Sequence, residues 1–222
     1  ADSPSVDAAS ASVLTAPDYA SIGPAGRPML FLAGPIMGAR PWQDEVIAKA
    51  RGDFEILNPR RPTIKTAKFD FNEQGRWETI CLKAAANHGA IMFFLAKEEE
   101  HLCDRAYAQT TRFELGEWYA RAPQALVIGI EPGFPGERYI RARLPRTVAV
   151  YYTLDDTIQP AQKAVMANPL YKTLAALQSD MSDSGARRDS DWCDYLSEEV
   201  EKVEAAIALL DSASKALGFK DG

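Results

Sequence analysis

The 222-residue sequence predicts an α/β protein: a parallel sheet of about five strands flanked by helices, followed by a helical C-terminal extension. Three observations lead there. Short runs of almost unbroken apolar residues recur as far as Tyr152, as strands buried on both faces require. Stretches with helical spacing separate those runs. Turn formers close the strands, Gly34-Pro35 and Asn58-Pro59 most clearly.

Taken in order, Met29-Leu30-Phe31-Leu32-Ala33 reads as the first strand, and Trp42 to Ala50 as a helix stopped by Gly52. Phe54-Glu55-Ile56-Leu57 is a second strand, and Arg60 to Phe71 a loop over the sheet edge. From Asn72 or Glu73 to Asn87 the spacing is helical and turns Trp77, Ile80, Cys81 and Ala84 towards the core. Ala90 to Leu95 is a third strand, followed by a polar excursion from Lys97 to Asp104 and a helix from Gln109 to Arg121. Ala125 to Ile130 and Val148 to Tyr152 supply the fourth and fifth strands, with a turn-rich loop from Glu131 to Gly136 after the fourth. Right-handed crossovers bring the loops after the strands to one edge of the sheet, where open α/β sheets bind ligands. That edge then carries Gly34 to Gly38, Asn58 to Arg61, the segment leading to Glu114, and Glu131 to Gly136.

Ala1 to Gly26, rich in Ala, Ser, Pro and Gly and without a basic leader or apolar core, reads as a flexible N-terminal arm. Residues 27–156 form the α/β domain and residues 157–222 the extension. In the extension, Gln159 to Met181 and Leu196 to Leu217 have helical patterns around a polar break, and the second is amphipathic. A net charge of −6 argues against nucleic acid or an anionic membrane surface as the main partner. No apolar run approaches the ~20 residues of a membrane helix. Cys81, Cys103 and Cys193 are widely spaced and odd in number, which suits neither a disulfide framework nor a zinc pattern. With His88 and His101 as the histidines, an imidazole metal site is not expected either. A reducing, cytoplasmic compartment fits.

Several residues could carry chemistry. Gln109-Thr110-Thr111-Arg112-Phe113-Glu114-Leu115-Gly116 opens a helix near the ligand-binding edge, with Thr110 and Thr111 available as caps. Phe113, Leu115 and Trp118 can face apolar surroundings, and Gly116 lets a backbone or substrate come close. Glu114 could act as a nucleophile oriented by Thr111 or Thr110, or be a solvated glutamate near the helix N-terminus. Gly34-Pro35-Ile36-Met37 lacks the lysine and hydroxyl of a phosphate loop and reads as a tight turn near a small ligand. Asn58 could bond a base or ribose, and Arg60 or Arg61 a phosphate or carboxylate; a surface turn tied to acids explains them equally. Glu78, beside Trp77, could reach a base or be an ordinary exposed glutamate. Asp70 and Asp104 are loop carboxylates without a supporting pattern.

Taken together, these segments resemble the nucleoside 2-deoxyribosyltransferase-like family over roughly residues 29–140. The resemblance rests on Phe31-Leu32-Ala33-Gly34-Pro35-Ile36, Trp42-Gln43, Asn58-Pro59-Arg60-Arg61, Gln74 with Trp77-Glu78, Ile91-Met92-Phe93-Phe94, and Thr111 with Glu114-Leu115-Gly116. It implies a flavodoxin-like, Rossmann-type sheet and cleavage of the N-glycosidic bond of a 2′-deoxynucleoside. The glutamate of the Glu-Leu-Gly segment, here Glu114, would attack C1′. The resulting glycosyl ester would pass to an incoming base with net retention. The implied partners are a small nucleoside or nucleotide and a free nucleobase, in a homo-oligomer, with no metal or organic cofactor. Catalysis would fall to Glu114, Thr111 and Glu78. Gly34, Pro35, Ile36, Met37, Asn58, Arg60, Arg61, Trp77 and Thr110 would bind substrate.

The chain departs from the family pattern at Ala108, where an aspartate is usual, so Gln109, Thr110, Thr111 or Asp104 would substitute. It departs again at Asn87-His88-Gly89, before the third strand. A hydrolase acting on a nucleoside or nucleoside 5′-monophosphate, and a non-catalytic nucleotide-binding module, are the competing readings.

Overall fold

In the computed structural model, which describes residues 10–19, 27–62, 69–102, 105–168, 197, 200–202 and 205, six parallel strands form a single sheet. They are β1 (Ser12–Thr15), β2 (Met29–Ala33), β3 (Glu55–Asn58), β4 (Gly89–Leu95), β5 (Leu126–Ile130) and β6 (Val150–Tyr151), in the order β1-β3-β2-β4-β5-β6. Helices α1 (Trp42–Lys49), α2 (Phe71–His88), α3 (Gln109–Arg121) and α4 (Glu137–Arg143) connect them, and residues 154–168 are helical as well. This is the parallel α/β sheet that the apolar runs predict, in the flavodoxin-like arrangement that the resemblance implies.

Every residue of β2 and β4 is buried, and the two pair from Met29 with Gly89 to Ala33 with Phe93. That explains their near-continuous hydrophobicity: neither face offers a place for a polar side chain. The chain leaves β2 to one side to form β3 and then crosses to the other side to form β4. This reversal opens a crevice beyond the carboxyl ends of β2 and β4.

Helix α2 starts at Asp70, whose carboxylate accepts from the backbone N–H of Asn72 (2.8 Å) and Glu73 (3.2 Å). A residue without a sequence pattern is thus an N-cap, worth about 1 kcal/mol. Gln74, Trp77, Cys81 and Ala85 recur at helical spacing on its buried face. On α3 the buried positions are Thr111, Leu115 and Trp118. Its N-cap is Ala108, with no side-chain hydrogen bond, so Thr110 and Thr111 lie inside the first turn and cap nothing.

Other expectations need correcting. The segment read as a flexible arm contributes β1, which pairs with β3 from Ser12 with Glu55 to Thr15 with Asn58 and raises the strand count to six. Ile80 and Phe113 do not face the core; they are 39% and 75% exposed. Ala125 belongs to a 3-10 turn before β5, and β6 is limited to two residues. Helix α4 buries no residue, so no apolar period marks it. Ile140 packs partly buried against the core, and Arg141 donates to the Ile130 carbonyl (2.7 Å) and stacks over Tyr152 at 4.0 Å.

Two compact units divide the chain, Ala1–Val165 and Met166–Gly222, a boundary later than the expected one at residue 156. In the second unit, residues 197, 200–202 and 205 are helical, and the remainder of the expected C-terminal helices lies outside the described residues. Among the described residues no helix is long and apolar enough to cross a membrane.

Candidate active site

A cavity of about 740 Å³ occupies the crevice at the carboxyl ends of β2 and β4. Its floor is Gly34, Pro35, Ile36 and Met37, the turn that leaves β2. Gly34 is required there by packing, because a Cβ would stand 2.4 Å from the Phe94 carbonyl oxygen and 2.6 Å from the Trp42 ring. The Trp42 indole N–H donates to the Pro35 carbonyl (3.0 Å) and fixes the turn from below. One wall comes from Arg60 and Arg61 after β3 and from Gln74, Gly75 and Glu78 on α2. The opposite wall comes from α3, with Thr110, Thr111 and Glu114. Four segments distant in sequence therefore meet at the edge where the topology predicts a ligand.

Glu114 and Glu78 differ in their surroundings. Among the described residues, no hydrogen bond or ion pair reaches Glu114. Burial, followed by the negative charges of Glu78 and Glu117, pushes its carboxyl up to about 8 from an ordinary 4.5. Burial raises Glu78 too, but the Gln74 amide donates to it (2.8 Å) and Arg61 lies near, and both favour its charged form. The charge of Glu78 in turn favours the protonated form of Glu114. The expected hydrogen bond from Thr111 or Thr110 to Glu114 is not formed.

Two predicted site residues lie elsewhere. Trp77 is fully buried, with its indole N–H donating to the Asp18 carbonyl (2.6 Å). Successive helical residues diverge by about 100°, so Trp77 faces the core while its neighbour Glu78 faces the cavity. Asn58 is buried at the end of β3, and its side-chain carbonyl accepts from the Arg60 N–H (3.0 Å). It shapes the turn instead of the cavity surface.

The arginines line the cavity but are already engaged. Arg60 donates from Nε to Gln43 (2.9 Å) and from one terminal nitrogen to the carbonyls of Ile36 (3.1 Å) and Arg40 (3.1 Å), with Ala39 at 3.5 Å. It is therefore a clamp on the loop that carries the cavity floor. Arg61 donates from Nε to Gln74 (2.6 Å), pairs with Glu73 (2.8 Å) and lies over Phe69. Replacing Arg60 with Lys, which has no planar fork, is expected to cost about 1–2 kcal/mol. Amide exchange across Ile36–Arg40 should quicken by about tenfold. An unchanged exchange rate in that loop would refute the clamp.

Sequence reasoning missed two organisers. Gln74 is a buried hub, since its amide N–H₂ serves both the Pro59 carbonyl (3.0 Å) and Glu78 while its oxygen takes Arg61. The i, i+4 spacing of Gln74 and Glu78 was the available signal. Tyr107 donates to the carbonyls of Ala96 (2.7 Å) and Lys97 (3.0 Å), tying the exit of β4 to the start of α3. Next to it, Ala108 is left-handed with φ 53°, a conformation that aspartate or asparagine tolerates better than alanine.

Cys81 is buried, and burial pushes its thiol up to about 12, so it offers no thiolate. Cys103, Asp104 and Cys193 lie outside the described residues. Comparison with protein-family models and with curated proteins returns no match for this chain.

Proposed function

We propose that this chain cleaves the N-glycosidic bond of 2′-deoxynucleosides and transfers the deoxyribosyl group to another base, as a nucleoside 2-deoxyribosyltransferase does. The observation that carries the reading is a pair of carboxyls with unequal surroundings in one desolvated cavity. Glu114 is without a hydrogen-bond partner among the described residues, and Glu78 is held by Gln74. Retaining glycosyl transfer needs such a pair, one group to attack and one to manage a proton.

In this reading the proton that Glu114 holds passes to the Glu78 carboxylate as the nucleoside binds, and Glu114 then attacks C1′ of the sugar as a carboxylate. The bond from C1′ to the base nitrogen breaks, its electron pair stays with the base, and Glu78 supplies the proton that the departing nitrogen takes up. Positive charge developing at C1′ favours ionisation of Glu114, which lies against it. The absence of a 2′-hydroxyl on the sugar eases that charge. A second base then attacks C1′ on the same face, releases the Glu114 ester and returns its own proton to Glu78. Thr110 and Thr111, on the same wall, offer hydroxyls to the sugar. Because Arg60 and Arg61 are committed to protein acceptors, and Arg105 shares its stretch of the lining with Glu98 and Glu100, an unphosphorylated nucleoside is favoured over a 5′-monophosphate.

The test is a chromatographic assay with a panel of 2′-deoxynucleosides, each run with and without a second free base. A new deoxynucleoside formed when the acceptor is present is the expected result. Free base released equally without an acceptor would convert the reading to a hydrolase. No turnover of any member would overturn it in favour of a binding module.

A further inference from the structure

We infer that Gly75 is a specificity-determining position, whose missing side chain keeps open a slot where a planar base lies against α2 between Phe71 and Glu78. The inference rests on the nucleoside reading of the cavity and adds to it where the base sits.

Phe71, Gly75 and Glu78 are spaced i, i+4 and i+7 along α2, so they share one face of the helix, and all three line the cavity. A glycine inside a helix is less favourable than alanine by about 1 kcal/mol. Nothing in the fold calls for one here. Gly75 has no positive φ, and a Cβ built on it meets no heavy atom within 4 Å. Gly34 on the floor is the opposite case, excluded from carrying a side chain by its neighbours. The empty volume in front of Gly75 is the cavity itself.

The two ends of the stripe suit a nitrogen heterocycle. At one end Phe71 is 78% exposed and meets the half-exposed Phe69 edge-to-face, with centroids 4.8 Å apart and planes at 88°. Such aromatic exposure is costly unless a flat apolar surface covers it. At the other end the Glu78 carboxyl can bond the polar edge of a ring. The Thr79 hydroxyl donates to the Gly75 carbonyl (2.7 Å), an extra tie on the helix at the gap. A ring with apolar faces and a polar edge matches this sequence of surfaces, and a methyl group at position 75 would hold it away from the helix.

The experiment compares wild type, Gly75→Ala, Gly75→Leu and Gly116→Ala by calorimetric titration with adenine, thymine, 2′-deoxyadenosine and thymidine, and by thermal unfolding. Gly116, expected from the sequence to let a backbone or substrate come close, instead lies off the cavity lining with open space around it inside α3, and so is the matched control. Both alanine variants are expected to melt at higher temperature than wild type. Gly75→Ala should bind the favoured base about tenfold more weakly and Gly75→Leu more weakly still, with Gly116→Ala unchanged. Equal affinities through the Gly75 series, or no binding of any base by wild type, would overturn the inference. Binding that responds to position 75 without glycosyl transfer would retain the slot and reject the transferase. Transfer that ignores position 75 would do the reverse.

Discussion

Glu114→Gln is expected to lower the rate of glycosyl transfer by about 1,000-fold or more while leaving the protein folded. Glutamine keeps the size and planarity of the side chain but cannot form the glycosyl ester, so the loss falls on the chemical step, not on substrate affinity. Glu117→Gln is the control, because Glu117 pairs with Arg121 (3.0 Å) outside the cavity lining and should change transfer little. Single-turnover kinetics separate binding from chemistry. A Glu114→Gln enzyme with more than a tenth of wild-type turnover would remove Glu114 from the role of nucleophile.

The same residue predicts a dependence of stability on pH. An acid that holds its proton more tightly in the folded than in the unfolded chain supports the fold fully below its unfolded value. It loses that contribution as pH rises through its folded value. For Glu114 the window runs from about 4.5 to about 8. Wild type is therefore expected to lose about 2 kcal/mol relative to Glu114→Gln across this range, since water in the cavity reduces the full effect. Denaturant unfolding of both proteins at pH 5 and pH 8.5 measures the difference. A constant gap between them would show that Glu114 ionises normally and is not desolvated.

These two effects share a cause that conflicts with stability: an unpartnered carboxyl kept near two other acids. Burial of this kind is retained where chemistry needs it and is otherwise replaced.

The sequence made the buried centre of the fold legible because β2 and β4 have no solvent face, and their composition says so without ambiguity. It hid β1 because of that strand's four residues only Leu14 is buried, and the preceding residues are small and polar. It hid α4 because that helix has no fully buried position to set a period, and a single partly buried Ile140 with the Arg141 anchors holds it. At the site, Glu78 and Glu114 were singled out by the resemblance, while their spacing alone fitted ordinary exposed glutamates equally or better. Trp77 was placed at the site by the resemblance, whereas its helical spacing pointed to the core, where it lies. The task of Arg60 could not be read at all, since its acceptors lie about twenty residues away on another loop, and no local pattern encodes them.

The position of β1 also braces the site from behind. Among the described residues its neighbour in the sheet is β3, which begins forty residues after β1 ends, and the two run parallel. Ser12–Thr15 thus joins the described sheet at its edge through a parallel pairing of long sequence separation. It brings with it Asp18, whose carbonyl receives the Trp77 indole behind the wall that carries Glu78. The cavity wall is thus braced from the rear by a segment that lies far from it in sequence.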